Sequence, residues 1–368
     1  VLSGRISWDD DGDTLITSAP ERAFIWHRTG DVWTQAAELQ PQVADQVDAF
    51  ASAISMSGNG MTAVVGVKDA DHIAGDGTFT GQTGAIYIYS RSGSSWSLQE
   101  RIEMPSIRHQ TGKFGTAVNL SRDGNVLIVN SQAHNLNPAS GAILNYRYGK
   151  SYLYTRSGTT WSQIQTIAGG FADDSRFGYY QALSGDGKQS VFCNWGDSNG
   201  GSGTGSISFY SRTTGNFTNI ASRIKGSTWM AGDRYGESLA MDYAGETCVV
   251  GTPLYDSGKG NVHVWTRSGS TWTEQQDISN PLSTGSFGSD VDITSDGNMI
   301  IIGASGSNRI YIYERSGSTW TETASFDADD TTSADQLGKF VQVSDDKEKF
   351  IASSPGQTDG ATYYFKKV

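Results

Sequence analysis

Residues 287–304 read Phe287-Gly288-Ser289-Asp290-Val291-Asp292-Ile293-Thr294-Ser295-Asp296-Gly297-Asn298-Met299-Ile300-Ile301-Ile302-Gly303-Ala304. Val291-Asp292-Ile293 alternates as a strand with one buried face does. Asp296-Gly297 is hairpin-turn chemistry, and Met299-Ile300-Ile301-Ile302 is the unbroken apolar run of a strand covered on both faces. The same unit recurs along the chain. An aromatic residue or Leu is followed ten positions later by a turn residue in seven pairs: Leu2 and Gly12, Phe50 and Gly60, Phe114 and Gly124, Phe177 and Gly187, Tyr235 and Gly245, Phe287 and Gly297, Leu337 and Lys347. A constant offset implies one local structure used seven times.

Downstream of each hairpin comes a third strand of alternating aromatic and aliphatic residues, as in Ile86-Tyr87-Ile88-Tyr89, Tyr152-Leu153-Tyr154, Val262-His263-Val264-Trp265 and Ile310-Tyr311-Ile312-Tyr313. An Arg follows closely and opens a second hairpin. Arg91-Ser92-Gly93-Ser94-Ser95-Trp96 recurs at 156–161, 267–272 and 315–320, with looser copies at 28–33 and 212–217. Its Gly-containing turn leads into a fourth strand.

Four antiparallel strands per unit, with anchors 48 to 64 residues apart, match the blades of a propeller better than the turns of a solenoid. The chain therefore reads as one all-β domain, residues 1–368, folded as a seven-bladed β-propeller with four-stranded antiparallel blades. The repeats run at about 1–49, 50–113, 114–176, 177–234, 235–286, 287–336 and 337–368. The last is expected to lack its fourth strand, because the sequence stops after Thr362-Tyr363-Tyr364-Phe365 and two lysines. Such an edge leaves backbone groups that natural sheets usually cover. Residues upstream of Val1, which is not a Met, or a neighbouring subunit are the expected sources of a covering strand. Edge protection by Lys366 and Lys367 is the third.

Composition agrees with many short strands: 45 Gly, 7 Pro and plentiful aromatics among 368 residues. A formal charge of −12 repels phosphate backbones and anionic headgroups, so no nucleic-acid partner is expected. No apolar stretch approaches the ~20 residues that span a bilayer, so no membrane insertion is expected. Cys193 and Cys248 fall in strands of successive repeats and read chiefly as small buried side chains.

The motif set resembles FG-GAP repeats, those of bacterial FG-GAP repeat proteins and of integrin α-subunit propellers. Tyr235-Gly236-Glu237-Ser238-Leu239, Val249-Val250-Gly251-Thr252-Pro253 and the 262–272 segment carry it most closely. Phe287-Gly288 with Ile302-Gly303-Ala304 repeats it. The resemblance implies an extracellular, cell-surface or virion-surface module that binds and does not catalyse. It also implies calcium in the first hairpin loop, through an Asp-x-Asp-x-Asp-Gly pattern. Ser57-Gly58-Asn59-Gly60 and Ser184-Gly185-Asp186-Gly187 are too short and too poor in acids for a cation with about 6–8 oxygen ligands. Only Asp9-Asp10-Asp11-Gly12-Asp13 is dense enough, making Asp9, Asp11 and Asp13 the calcium candidates there.

The connections after the second strands of repeats two to four are long and varied, at residues 68–84, 131–150 and 195–205. Variable loops on a regular scaffold are where binding residues gather. Phe79, Tyr146, Tyr148, Tyr179, Tyr180 and Trp195 are candidates for stacking on a glycan or a partner's side chains, and Asp69, Asp71 and Asp76 are candidate cation ligands. The alternative for all of them is loop packing and solvation. His72, His109 and His134 lie in the same loop region without ligand spacing, while His27 and His263 sit in third strands and read as packing. No nucleophile elbow, Ser-His-Asp set or phosphate loop is present. Asp242, Asp290 and Asp292 keep a glycan-cleaving alternative open, because propeller hydrolases gather carboxylates centrally.

The leading expectation is a module binding protein or glycan through blades two to four. The alternative is a structural subunit of a surface assembly, appendage or virion, joined to neighbouring subunits or to the rest of a larger chain through residues 361–366.

Overall fold

A computed structural model describes residues 5–41, 49–73, 79–105, 112–132, 149–169, 176–194, 196–197, 203–225, 231–328, 332, 334–357 and 360–367. Six four-stranded sheets and one three-stranded sheet follow in chain order, all antiparallel, as the blades of a seven-bladed β-propeller. Blade one consists of Ile6–Trp8, Thr14–Ala19, Arg22–Thr29 and Val32–Leu39. Blade two comprises Phe50–Met56, Thr62–Val67, Ala85–Ser92 and Ser95–Glu103, with an extra hairpin, Asp71–Ile73 and Phe79–Gln82, inserted after its second strand. Blades three to six repeat the pattern, and blade seven ends with Val341–Val343, Lys349–Ser354 and Ala361–Lys366.

By packing, the chain forms two compact units. One holds residues 7–9 and 13–179, the other residues 1–6, 10–12 and 180–368. In each unit the hydrophobic cores lie between successive sheets. In the first, Ala63, Val65 and Val67 pack toward blade one, while Val64 packs toward blade three. In the second, Ile300 and Ile302 join the core shared with blade five, and Met299 and Ile301 the core shared with blade seven. Every residue of these second strands is buried, which is why their sequence is apolar without alternation.

The ten-residue offset has a concrete cause in the first hairpin. Seven positions after each anchor stands Asp9, Ser57, Ser121, Ser184, Asp242, Thr294 or Ser344. Each side-chain oxygen accepts the N–H five residues further on, at 2.9–3.1 Å. Such a side chain takes the place of a backbone acceptor in a tight turn. Gly12, Gly60, Gly124, Gly187, Gly245, Gly297 and Lys347 then take φ values of 62° to 70°. In the second hairpin the Arg stacks on its aromatic partner. The Arg156 and Arg315 guanidinium carbons lie 5.5 Å from the rings of Trp161 and Trp320, and that of Arg212 5.7 Å from Phe217.

Successive blades meet through backbone. A Cβ built on Gly84, Gly149, Gly205 or Gly260 would fall 2.1–2.5 Å from the carbonyl oxygen of Phe114, Phe177, Tyr235 or Phe287, each the anchor of the next blade. Gly66 and Gly303 likewise abut the carbonyls of Gly115 and Gly338, at 2.1 and 1.9 Å from such a Cβ. Replacing Gly303 with Ala should therefore cost upward of ~3 kcal/mol in a denaturant titration, because main chain must move. Gly317→Ala, at φ +63° with nothing within 4 Å, should cost only about 1 kcal/mol. Equal losses would contradict the interblade assignment.

Candidate functional site at the edge of blade seven

The third strand of each of blades one to six is covered by a fourth strand, and at one equivalent position of the third strand the partner is alike each time. Leu39 pairs with Ala23, Ile102 with Ile86, Ile167 with Ser151, Ile224 with Ile207, Ile278 with Val262 and Phe326 with Ile310. Six fourth strands thus seat Leu, Ile or Phe at one position. In blade seven the equivalent of Val262 and Ile310 is Thr362, placed by its pairing with Ser353 where they pair with Gly251 and Gly303.

No fourth strand pairs with Ala361–Lys366 among the described residues. The effect on burial is direct. Ala85–Tyr89 and Asn261–Trp265 are buried throughout, whereas all of 361–365 is half-buried. The strand is otherwise built like its counterparts. Its end is fixed by the Lys367 N–H donating to the Glu348 carbonyl at 2.7 Å, as Arg267 donates to Glu246 and Arg315 to Asn298. Tyr363 and Phe365 stack at 6.3 Å between centroids, and Phe365 lies 5.6 Å from Phe326 of blade six. Thr362, Tyr363, Tyr364 and Phe365, singled out in the sequence, therefore form a strand whose outer side no described strand pairs with.

The acidic candidates have other occupations. Asp9 is buried, and its carboxylate accepts the N–H groups of Asp13 and Thr14 at 2.8 and 3.0 Å. Burial pushes its acid strength down, raising the pKa against those hydrogen bonds. Asp13 pairs with Arg28, and the Asp11 carbonyl accepts the Lys349 ammonium at 2.6 Å. Asp242 is the same turn cap in blade five, accepting from Glu246 and Thr247. Asp290 and Asp292 accept the N–H groups of Val341 and Val343 at 2.9 and 3.0 Å, capping the first strand of blade seven. Serines do this in the other unit, where Ser7 and Ser55 accept from Met56 and Leu120.

Of the loop candidates, Tyr146, Tyr148, Trp195 and Asp76 lie outside the described residues, as do His109 and His134, and for Phe79 and His72 only the backbone strand is described. Asp69 pairs with Lys113 at 2.8 Å, and the Asp71 carbonyl accepts from Arg101 at 3.1 Å. Tyr179 is half-buried, its N–H on the Arg176 carbonyl. The Tyr180 hydroxyl faces the Glu237 carboxylate at 3.5 Å. Cys193 and Cys248 are both buried and are not joined in a disulfide, and the Cys193 sulfur accepts the Tyr180 N–H at 3.1 Å.

One cluster was not found from sequence. His263, read there as packing, is wholly buried, with Nδ1 2.6 Å from Glu274 Oε1 and its ring 5.0 Å from that of Tyr235. Asp277 lies beside them. Counting outward from the Arg267–Trp272 pair puts Glu274 opposite Trp265. A one-residue bulge between Trp265 and Val264 then brings Asp277 opposite His263, a shift that spacing alone does not announce.

No protein-family model and no curated protein matches the chain. Among 954 matching solved chains, the hydrazine synthase of Kuenenia stuttgartiensis is similar over 100% of this chain and 96% of its own, with a TM-score of 0.61 at 13% identity. The fold is that of a β-propeller. So wide a recurrence of one architecture selects no activity.

Asp290 gives a pH test. Burial, then the charge of Asp292, raises its pKa to about 7, against the hydrogen bond from Val341. Part of its surface stays open to solvent, which tempers the burial penalty. A carboxyl raised in the folded state contributes stability that is complete below its unfolded pKa near 3.8 and lost as pH climbs through about 7. Wild type should thus lose about 2 kcal/mol relative to Asp290→Asn between pH 4 and pH 8, measured by urea unfolding. Parallel pH profiles would contradict it.

Proposed function

We propose that this protein is a non-enzymatic binding and assembly module of a surface or extracellular structure, similar in kind to FG-GAP repeat propellers. It engages its partner by strand addition at the open edge of blade seven. The observation that carries this reading is the register. Six blades seat an apolar fourth strand at one position, and among the described residues no strand takes that place beside the third strand of blade seven. Main-chain hydrogen bonds supply affinity in strand addition, and alternate side-chain pockets supply selectivity. A fourth strand laid on 361–366 would restore the burial that the other third strands have.

Catalysis is given no part, since Asp242, Asp290 and Asp292 each hold backbone N–H groups. The strongly acidic surface supports a protein or glycan partner over nucleic acid. A second reading, contact through the loops of blades two to four, draws support from the extra hairpin that blade two carries after its second strand.

The test uses a synthetic peptide of residues 315–327, the fourth-strand segment of blade six, as the probe. It should bind the protein saturably, and Thr362→Asp, which sets a carboxylate against the incoming apolar side chain, should weaken binding by at least ~10-fold. Equal binding by wild type and T362D, or no saturable binding, would sink the edge reading.

A further inference from the structure

Blade five differs from its sister blades in the combination of residues at three facing positions, although blade six shares the Glu and blade one has a carboxylate in place of the Asp. The place of His263 is taken by Phe24, Tyr87, Tyr152 and Tyr311 in blades one, two, three and six, each located by its cross-strand partner. The place of Glu274 is held there by Gln35, Leu98, Gln163 and Glu322, and that of Asp277 by Glu38, Arg101, Thr166 and Ser325. Among the described residues, only in blade five does an imidazole meet two carboxylates. The aromatic alternative plainly satisfies the fold. Phe50 packs on Tyr87 and Phe287 on Tyr311 with centroids 5.8 and 5.3 Å apart, where Tyr235 packs on His263.

Packing therefore does not explain the histidine. It carries a cost as well, because His263 Nε2 is buried and has no hydrogen-bond partner among the described residues. What the substitution supplies is a set of ligands. One nitrogen or oxygen from each of His263, Glu274 and Asp277 lies within 4.8 Å of the other two. We propose that His263, Glu274 and Asp277 form a site for one divalent transition-metal ion, of which Zn²⁺ is the type.

The chemistry fits. A borderline cation takes one imidazole and two carboxylates at about 2.0–2.2 Å, and a small outward rotation of Glu274 from its 2.6 Å hydrogen bond makes room for it. Glu274 and Asp277 are partly exposed on the outermost strand of the blade, so the ion has a path from solvent and an open coordination position for water. The supporting shell is in place. Asn261 Nδ2 donates to Asp277 Oδ1 at 2.6 Å, the Tyr235 ring holds the imidazole plane, and the Tyr235 hydroxyl is itself fixed by the Trp265 indole N–H at 2.8 Å. This site is separate from the hairpin loop where calcium was sought.

The experiment is a calorimetric titration of chelator-stripped full chain with Zn²⁺ alone, repeated with Co²⁺ and read by visible absorption. Wild type should bind one equivalent, and cobalt should give ligand-field bands. His263→Tyr, the residue that blades two, three and six carry here, and Glu274→Gln should each bind at least ~10-fold more weakly, lose those bands and keep the wild-type circular dichroism. Should H263Y fail to fold, E274Q decides. Wild type binding neither ion, or a folded variant binding both as wild type does, would overturn the site.

Discussion

The structure depends on backbone meeting backbone between successive blades. In blades two to five the glycine just before the third strand and the anchor of the next blade approach so closely that no Cβ fits between them, at Gly84, Gly149, Gly205 and Gly260. The sheets are then near enough for second-strand side chains such as Val64 and Val65 to enter different cores on opposite faces. Hydrophobic burial supplies the driving force, but the glycines set the distance at which it acts. That constraint also explains why the sequence repeats in register while its loops vary freely.

Much of this was legible. The seven anchors marked the blades, and the apolar runs marked strands covered twice. The Arg-Ser-Gly-x-x-Trp motif marked the second hairpin, and Thr362-Tyr363-Tyr364-Phe365 marked the third strand of blade seven. What the offset of ten did not disclose is the side-chain cap inside it, because Ser, Thr and Asp serve alike. Asp9, a calcium candidate, and Asp242, one of the acids behind the glycan-cleaving alternative, are such caps in blades one and five. His263 was hidden for a different reason. Its partners are set by a bulge in the pairing of third and fourth strands, and bulges leave no fixed residue signature.

Departures from the repeat are where this molecule's individuality lies. Blade five exchanges an aromatic stack for an imidazole between two carboxylates. Blade six replaces serine with Asp290 and Asp292 at the contact with blade seven, placing two acids where one hydroxyl suffices elsewhere. Blade seven keeps the third strand, with its Lys367 in the position of the hairpin arginine, and no described strand pairs with its outer side. A regular scaffold tolerates such local changes because each blade contacts only its neighbours.

Amide hydrogen exchange across Ala361–Lys366, followed by mass spectrometry beside Arg309–Ser316 of blade six, tests the central claim most directly. Every second amide of the blade-seven strand should exchange rapidly in the isolated protein and slow when a partner strand is supplied, while the blade-six strand stays protected throughout. Equal protection of the two strands in the isolated protein would contradict the account, because it would mean that the edge is already covered.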